Sequence, residues 1–130
     1  MIISIDASSG LAIYDQIVRQ IKFAVASEVI LPGELIPSVR EMAKQTAVNP
    51  NTVSRAYREL QTDGVLEAVR GTGLQVTAGA VKKCRKDRQV LIRDRLREVL
   101  LEAQQSQLDI DDIRQLTESE LARLDGKGNA

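Results

Sequence analysis

Apolar residues recur along this chain at two periods, and the places where the period changes mark its elements. Between Ala12 and about Ser27, Ile13, Ile17, Ile21 and Ala24, joined by Tyr14, Val18 and Val25, make a broad stripe at helical spacing. Asp15, Gln16, Arg19, Gln20 and Lys22 are left for water, so this first helix reads as a scaffold. Val39, Met42 and Ala43 form the apolar side of a short second helix ending near Thr46. Val53, Ala56, Tyr57 and Leu60 repeat at i, i+3, i+4 and i+7 and define a third. The period then drops towards two. Val65–Val69 and Leu74–Thr77 read as strands, as does the short β-branched run Met1–Asp6. Later the helical period returns: Leu91, Ile92, Leu96, Val99, Leu100 and Ala103 lie on a helix from about Arg88 to Gln105, and Ile113, Leu116, Leu121 and Leu124 on another begun by Asp109 and ending at Leu124.

Turn chemistry sharpens these boundaries. Leu31–Pro37 is a Pro/Gly turn, and Ser38-Val-Arg-Glu41 has the spacing of a capping box. Asn49 is a strong N-cap, Pro50 suits the first helical position, and Gly64 suits a left-handed stop. Arg70-Gly-Thr-Gly73 joins the two later strands in a tight hairpin. Two helices linked through Thr46-Ala-Val48 and followed by a hairpin make a winged helix-turn-helix, with the Asn49 helix as its reader. The expected fold is mainly α with a small β wing. Residues 1–78 form the winged helix-turn-helix domain, and residues 79–130 a helical dimerisation region, a two-helix hairpin turning at Ser106–Leu108, with a disordered C-terminal tail.

The third helix carries the candidate chemistry. Opposite its apolar face stand Asn51, Ser54, Arg55 and Arg58, with Thr52 at the edge. Amides, hydroxyls and guanidiniums without a carboxylate suit the major groove of DNA, although a plain solvated face has a similar composition. Arg40 sits beside the Ser38 cap, where a phosphate would meet both the guanidinium fork and free helix N–H groups. The hairpin tip offers Arg70 and bare backbone to a phosphate strand or a minor groove.

Composition narrows the classes. A chain of 130 residues that is 43% hydrophobic accommodates one domain, or one small domain and an appendage. Tyr14, Phe23 and Tyr57 are the only aromatic residues, which argues against a platform that stacks single-stranded bases. The net charge is zero, so attraction to DNA must come from local basic patches. There is no histidine, and Cys84 is the only cysteine. Imidazole acid/base chemistry, Ser-His and Cys-His nucleophiles and His-based zinc sites are therefore excluded. No catalysis, cofactor or metal is expected. Neither a signal peptide nor an apolar run of about 20 residues is visible, so the expectation is a cytoplasmic protein without a membrane partner.

An ordered set of residues then carries a resemblance: Ile13-Tyr14-x-Gln16-Ile17, Pro32-Gly33, Pro37-Ser38-x-Arg40-x-x-Ala43, Val48-Asn49-Pro50-Asn51-Thr52-Val53-x-Arg55-Ala56-Tyr57-x-x-Leu60 and Gly71-x-Gly73-x-x-Val76. Residues 1 to about 78 resemble the DNA-binding domain of the GntR family of bacterial transcription regulators, and the short total length resembles its YtrA-like subfamily. The resemblance implies DNA contacts from Arg40, from Asn49, Asn51, Thr52, Ser54 and Arg55, and from Arg70, Gly71 and Gly73; Ser38 at the capped helix start and Arg58 on the polar face of the third helix complete the candidate DNA-binding set. Departures from the family pattern are Glu28 for a usual glycine, Ala12 for proline, Ile36 for leucine and Gln75 for an aromatic residue in the wing. Ser54 is small where some relatives carry arginine, which shifts base contact towards Asn51 and Arg55.

The second half is segregated by charge. From Lys82 to Arg97, eight bases face only Asp87 and Asp94, whereas from Glu98 onward eight acids face Arg114, Arg123 and Lys127. The basic run reads as a solvated face or linker more readily than as extra phosphate contacts. Cys84 within it reads as an isolated thiol. Leu91, Ile92, Leu96, Val99, Leu100, Ile113, Leu116, Leu121 and Leu124 form stripes that call for a partner, most simply a second copy. The expectation is a dimeric repressor on a palindromic double-stranded DNA operator, its effector unknown. The competing reading is a winged-helix protein-interaction module without DNA binding.

Overall fold

The computed structural model describes residues 3–128. Its elements are α1 (Ile13–Ala26), α2 (Val39–Thr46), α3 (Pro50–Thr62), β1 (Leu66–Val69), β2 (Gly73–Val76), α4 (Ala80–Gln105) and α5 (Ile110–Gly128). The chain divides into two compact units between Val90 and Leu91, so the break falls inside α4, beyond the domain boundary expected at residue 78.

In the first unit α3 is central, packing against α1, α2 and β1. Ile17, Ile21 and Val25 of α1, Met42 of α2, and Val53, Ala56 and Leu60 of α3 are fully enclosed with Val65, Val76, Ala80 and Cys84. The core is aliphatic, as the shortage of aromatic residues requires. Tyr57 joins it with its ring, and its hydroxyl donates to the Pro37 carbonyl at 2.8 Å.

The strand expected over Met1–Asp6 does not form across residues 3–6, and Met1 and Ile2 lie outside the described residues. Two glutamines of α1 stand in for a partner strand. Ser4 N–H donates to Gln20 Oε1 at 2.9 Å, and Gln20 Nε2 donates to the Ser4 carbonyl at 2.6 Å. Gln16 repeats the pair on Asp6, with both bonds at 2.9 Å. The match is geometric: a four-residue helical step of about 6 Å suits a two-residue extended step of about 6.6 Å. Gln16 is thus buried rather than left for water. Lys22 is buried too, with Nζ 2.8 Å from Asp63 and 3.0 Å from Asp87.

Four helices end through one device. In each, the N–H beyond a left-handed residue returns to the carbonyl five residues earlier: Val29 to Ala24, Val48 to Ala43, Val65 to Leu60 and Leu108 to Ala103. After α3 the left-handed residue is Gly64, but elsewhere it is Glu28, Ala47 or Gln107, at φ of 59°, 55° and 75°. These three carry a steric cost that glycine would not.

The wing is a hairpin in register from Leu66↔Val76 to Val69↔Gly73. Residues 33–36 line its open edge: Gly33 N–H donates to the Val76 carbonyl, Val76 N–H to Glu34 and Ile36 N–H to Leu74, at 2.8–3.0 Å. Gln75, where the family favours an aromatic residue, donates from Nε2 to Glu67 across the hairpin.

Helix α4 begins at Ala80, well before the expected start near Arg88, so the basic run is helical and partly docked. Ala80 and Cys84 are buried, Arg85 Nε donates to the Ala26 carbonyl at 3.0 Å, and Lys83 pairs with Asp87 at 2.7 Å. Tertiary anchors hold this first stretch.

In the second unit, Asp109 caps α5 by accepting from Asp112 N–H at 2.9 Å. The helix continues past Leu124 to Gly128, and the last two residues of the expected disordered tail lie outside the described residues. The remainder of α4 and α5 make few close approaches to each other, and Ile92, Leu96, Val99, Leu116, Leu121 and Leu124 are all at least half exposed.

Candidate nucleic-acid interface

Local chemistry builds the candidate surface in three pieces. The first is the start of α2, where the Ser38 side chain accepts from Glu41 N–H and the Glu41 carboxylate accepts from Ser38 N–H, both at 3.1 Å. The Ser38 backbone N–H and then its hydroxyl hold the Glu41 carboxyl below its ordinary pKa. The bond from Tyr57 to Pro37 ties this start to α3. Burial, helped by the Glu41 charge, pushes the Tyr57 hydroxyl far above its usual pKa, so it remains a donor. Arg40 projects exposed from the first turn.

The second piece is the start of α3. Asn49 Oδ1 accepts from Asn51 N–H at 2.8 Å, and Pro50 fills the first helical position. The left-handed residue Ala47 makes the turn from α2. Asn49, Asn51, Arg55 and Arg58 are exposed, and Thr52 and Ser54 are half-buried. On the other side Val53, Ala56, Tyr57 and Leu60 are buried. The helix cannot turn its polar side inward without losing that contact. The Arg55 guanidinium lies over the Tyr14 ring, 3.7 Å from its centroid.

The third piece is the wing tip. Thr72 N–H donates to the Val69 carbonyl at 2.9 Å, closing a turn over Arg70 and Gly71. Gly71 at φ 76° and Gly73 at φ 137° occupy backbone conformations that side chains disfavour. Arg70 is exposed at the tip.

Arg40 and Asn49 share an open groove of about 770 Å³ between α2 and α3. Ser38 and Gly73 line a second cleft, of about 650 Å³, which brings the wing to the start of α2. Lys44 lines the first groove and was not among the sequence-derived candidates. Its i+4 spacing from Arg40 was the available signal.

Cys84 plays no part in this surface. Burial pushes its thiol up to about 11, so it is held neutral, against a role as a reactive switch. Of the residues assigned to dimerisation, Leu91 and Ile113 are half-buried and the others exposed. Among the described residues no acidic or cysteine cluster could hold a metal, and no helix is long and apolar enough to cross a membrane.

Residues 13–76 match the family of bacterial regulatory proteins called the gntR family. The chain is 33% identical over 113 residues to the HTH-type transcriptional repressor YtrA of Bacillus subtilis (strain 168), covering 87% of each protein. Its structure is similar to that of a GntR family transcriptional regulator from Listeria monocytogenes, at 30% identity and a TM-score of 0.66 over 88% of this chain and 98% of that one. It also resembles the AraR DNA-binding domain in complex with operator ORE1, at 29% identity and a TM-score of 0.50 over 56% of this chain and 89% of that one. Winged reading head, family match and near-full-length similarity agree: the chain belongs to the gntR family of bacterial transcription regulators, in its YtrA-like branch, and carries that family's DNA-binding domain.

Proposed function

We propose that this regulator is a repressor that binds double-stranded DNA sequence-specifically, as a dimer on a palindromic operator. The observation that carries this reading is α3. Its first two turns expose Asn51 and Arg55 without a carboxylate, while its other face is locked into the core. Asn51 and Arg55 read base edges in the major groove. Arg40, Arg58, Arg70 and the wing backbone set the register on phosphates. The repressor YtrA supports the sign of regulation, and the AraR complex supports an operator duplex as the ligand. The exposed apolar residues of α4 and α5 support a symmetric pair, which would present two reading helices about one duplex turn, roughly 34 Å, apart.

Selection of bound duplexes from a random pool tests the whole reading, with two inverted half-sites as the expected product. On the selected operator, Arg55→Ala should relax preference at one base pair, a loss of about 1–3 kcal/mol of discrimination. Arg40→Ala should weaken binding to every duplex and reduce the salt slope by about 1. Identical behaviour of the two variants would remove the division between base and phosphate contacts. An absence of salt-dependent binding to any duplex would leave a protein-interaction module instead.

A further inference from the structure

The arginines of the reading surface are not equivalent. Among the described residues, Arg40, Arg58 and Arg70 have no ion-pair or aromatic partner, whereas Arg55 lies 3.7 Å from the centroid of the Tyr14 ring. Tyr14 sits in the first turn of α1, half-buried and packed against the core, while Arg55 is exposed on α3. The ring is therefore anchored against the core, and the guanidinium rests on it from the solvent side.

Stacking and base reading use different parts of a guanidinium. The ring takes one planar face, whereas guanine O6 and N7 are met by the N–H donors along the edge. One rotamer can satisfy both. Phosphate contact tolerates a swinging side chain, but a bidentate base contact requires a set position and plane.

We infer that Tyr14 is a positioning residue for base recognition: its ring holds Arg55 in the orientation from which the guanidinium edge meets a guanine. Tyr14 thereby controls discrimination at one base pair without itself touching DNA. This inference rests on the proposed role of Arg55 as a base reader.

The test uses the full chain, the selected operator, the same duplex altered at each base pair, and a random duplex, with Tyr14→Leu, Tyr14→Phe and Arg55→Ala compared. Tyr14→Leu should keep the unfolding midpoint and the random-duplex affinity while losing about two- to fivefold of operator preference, the range expected of one exposed stack. Tyr14→Phe, which retains the ring, should keep that preference. In the Arg55→Ala background Tyr14→Leu should change the preference no further. If Tyr14→Leu leaves the preference intact while Arg55→Ala abolishes it, the positioning role is overturned and the reading of Arg55 survives. Equal weakening on every duplex would make the stack a structural clip, which also overturns it. If Arg55→Ala changes preference at no base pair, the reading itself fails. Should Tyr14→Leu not fold, Tyr14→Met supplies the same comparison without an aromatic face.

Discussion

The two units of this chain use similar aliphatic residues to different ends. In the first, Ile17, Met42, Val53 and Leu60 are sealed from water by elements drawn from all along the first 90 residues. In the second, Val99, Leu121 and Leu124 are 56%, 59% and 66% exposed, although they belong to apolar stripes at helical spacing. A periodic apolar stripe therefore specifies a helix with one oily face, but not what will cover it. The reading head supplies its own cover, whereas the C-terminal helices leave their stripes exposed in the single chain.

Paired substitutions break this contrast most directly. Leu60→Ala should destabilise the first unit by about 3 kcal/mol at any protein concentration, because it opens a cavity under α3. Leu121→Ala should change the stability of the single chain by less than about 0.5 kcal/mol. Its effect should instead grow with concentration as self-association is lost. Denaturant titrations over a hundredfold range of concentration separate the two, and equal, concentration-independent losses would erase the distinction between the units.

Lys22 gives the next largest effect. Burial opposes its charge, but hydrogen bonds from Nζ to Asp63 and Asp87 outweigh it and hold its pKa above the ordinary value. Asp87 is likewise opposed by burial and held below its ordinary value by Lys83 and Lys22. Lys22→Met should cost about 2 kcal/mol, less than a fully buried pair because both carboxylates retain some exposure. The raised lysine stabilises the fold below its unfolded pKa of about 10.4, and this contribution is lost as pH rises through its folded value. The depressed aspartate stabilises above about pH 3.9, and its contribution is lost as pH falls through its folded value. Below about pH 3.9 and above about pH 10.4, unfolding midpoints should fall less steeply in Lys22→Met than in the parent.

The smallest effects are gains. Glu28→Gly and Ala47→Gly relieve left-handed strain at the ends of α1 and α2, and each should stabilise the first unit by about 0.5–1 kcal/mol. Gln107→Gly makes the same change after α4 and should not raise the first unit's midpoint. Thermal melts of the three variants test this assignment. For Glu28 the loss of its long contact with Arg85, at 3.8 Å, subtracts little because both side chains are exposed.

Much of the reading head was legible because its signals are local. The Ser38–Glu41 box, the Asn49 cap and Pro50 act within one helical turn, so α2 and α3 begin where the sequence places them. Gln16 was misread because its helical neighbours place it on a polar flank, and only the backbone of residues 3–6 folding against α1 makes it an interior group. The early start of α4 was hidden because its charged residues mimic a linker, while its anchors at Lys22 and Ala26 lie far upstream.

By itself the sequence determined the periods, the caps and the carboxylate-free first turns of α3, which specify a winged reading head. Each depends on residues within a turn or two of one another. Only the tertiary structure decided that Lys22 is interior, that the start of the basic run is docked helix and that Arg55 rests on Tyr14. Those outcomes join residues 41 apart in the Lys22–Asp63 pair and 59 apart between Arg85 and Ala26, and local periodicity does not encode such meetings.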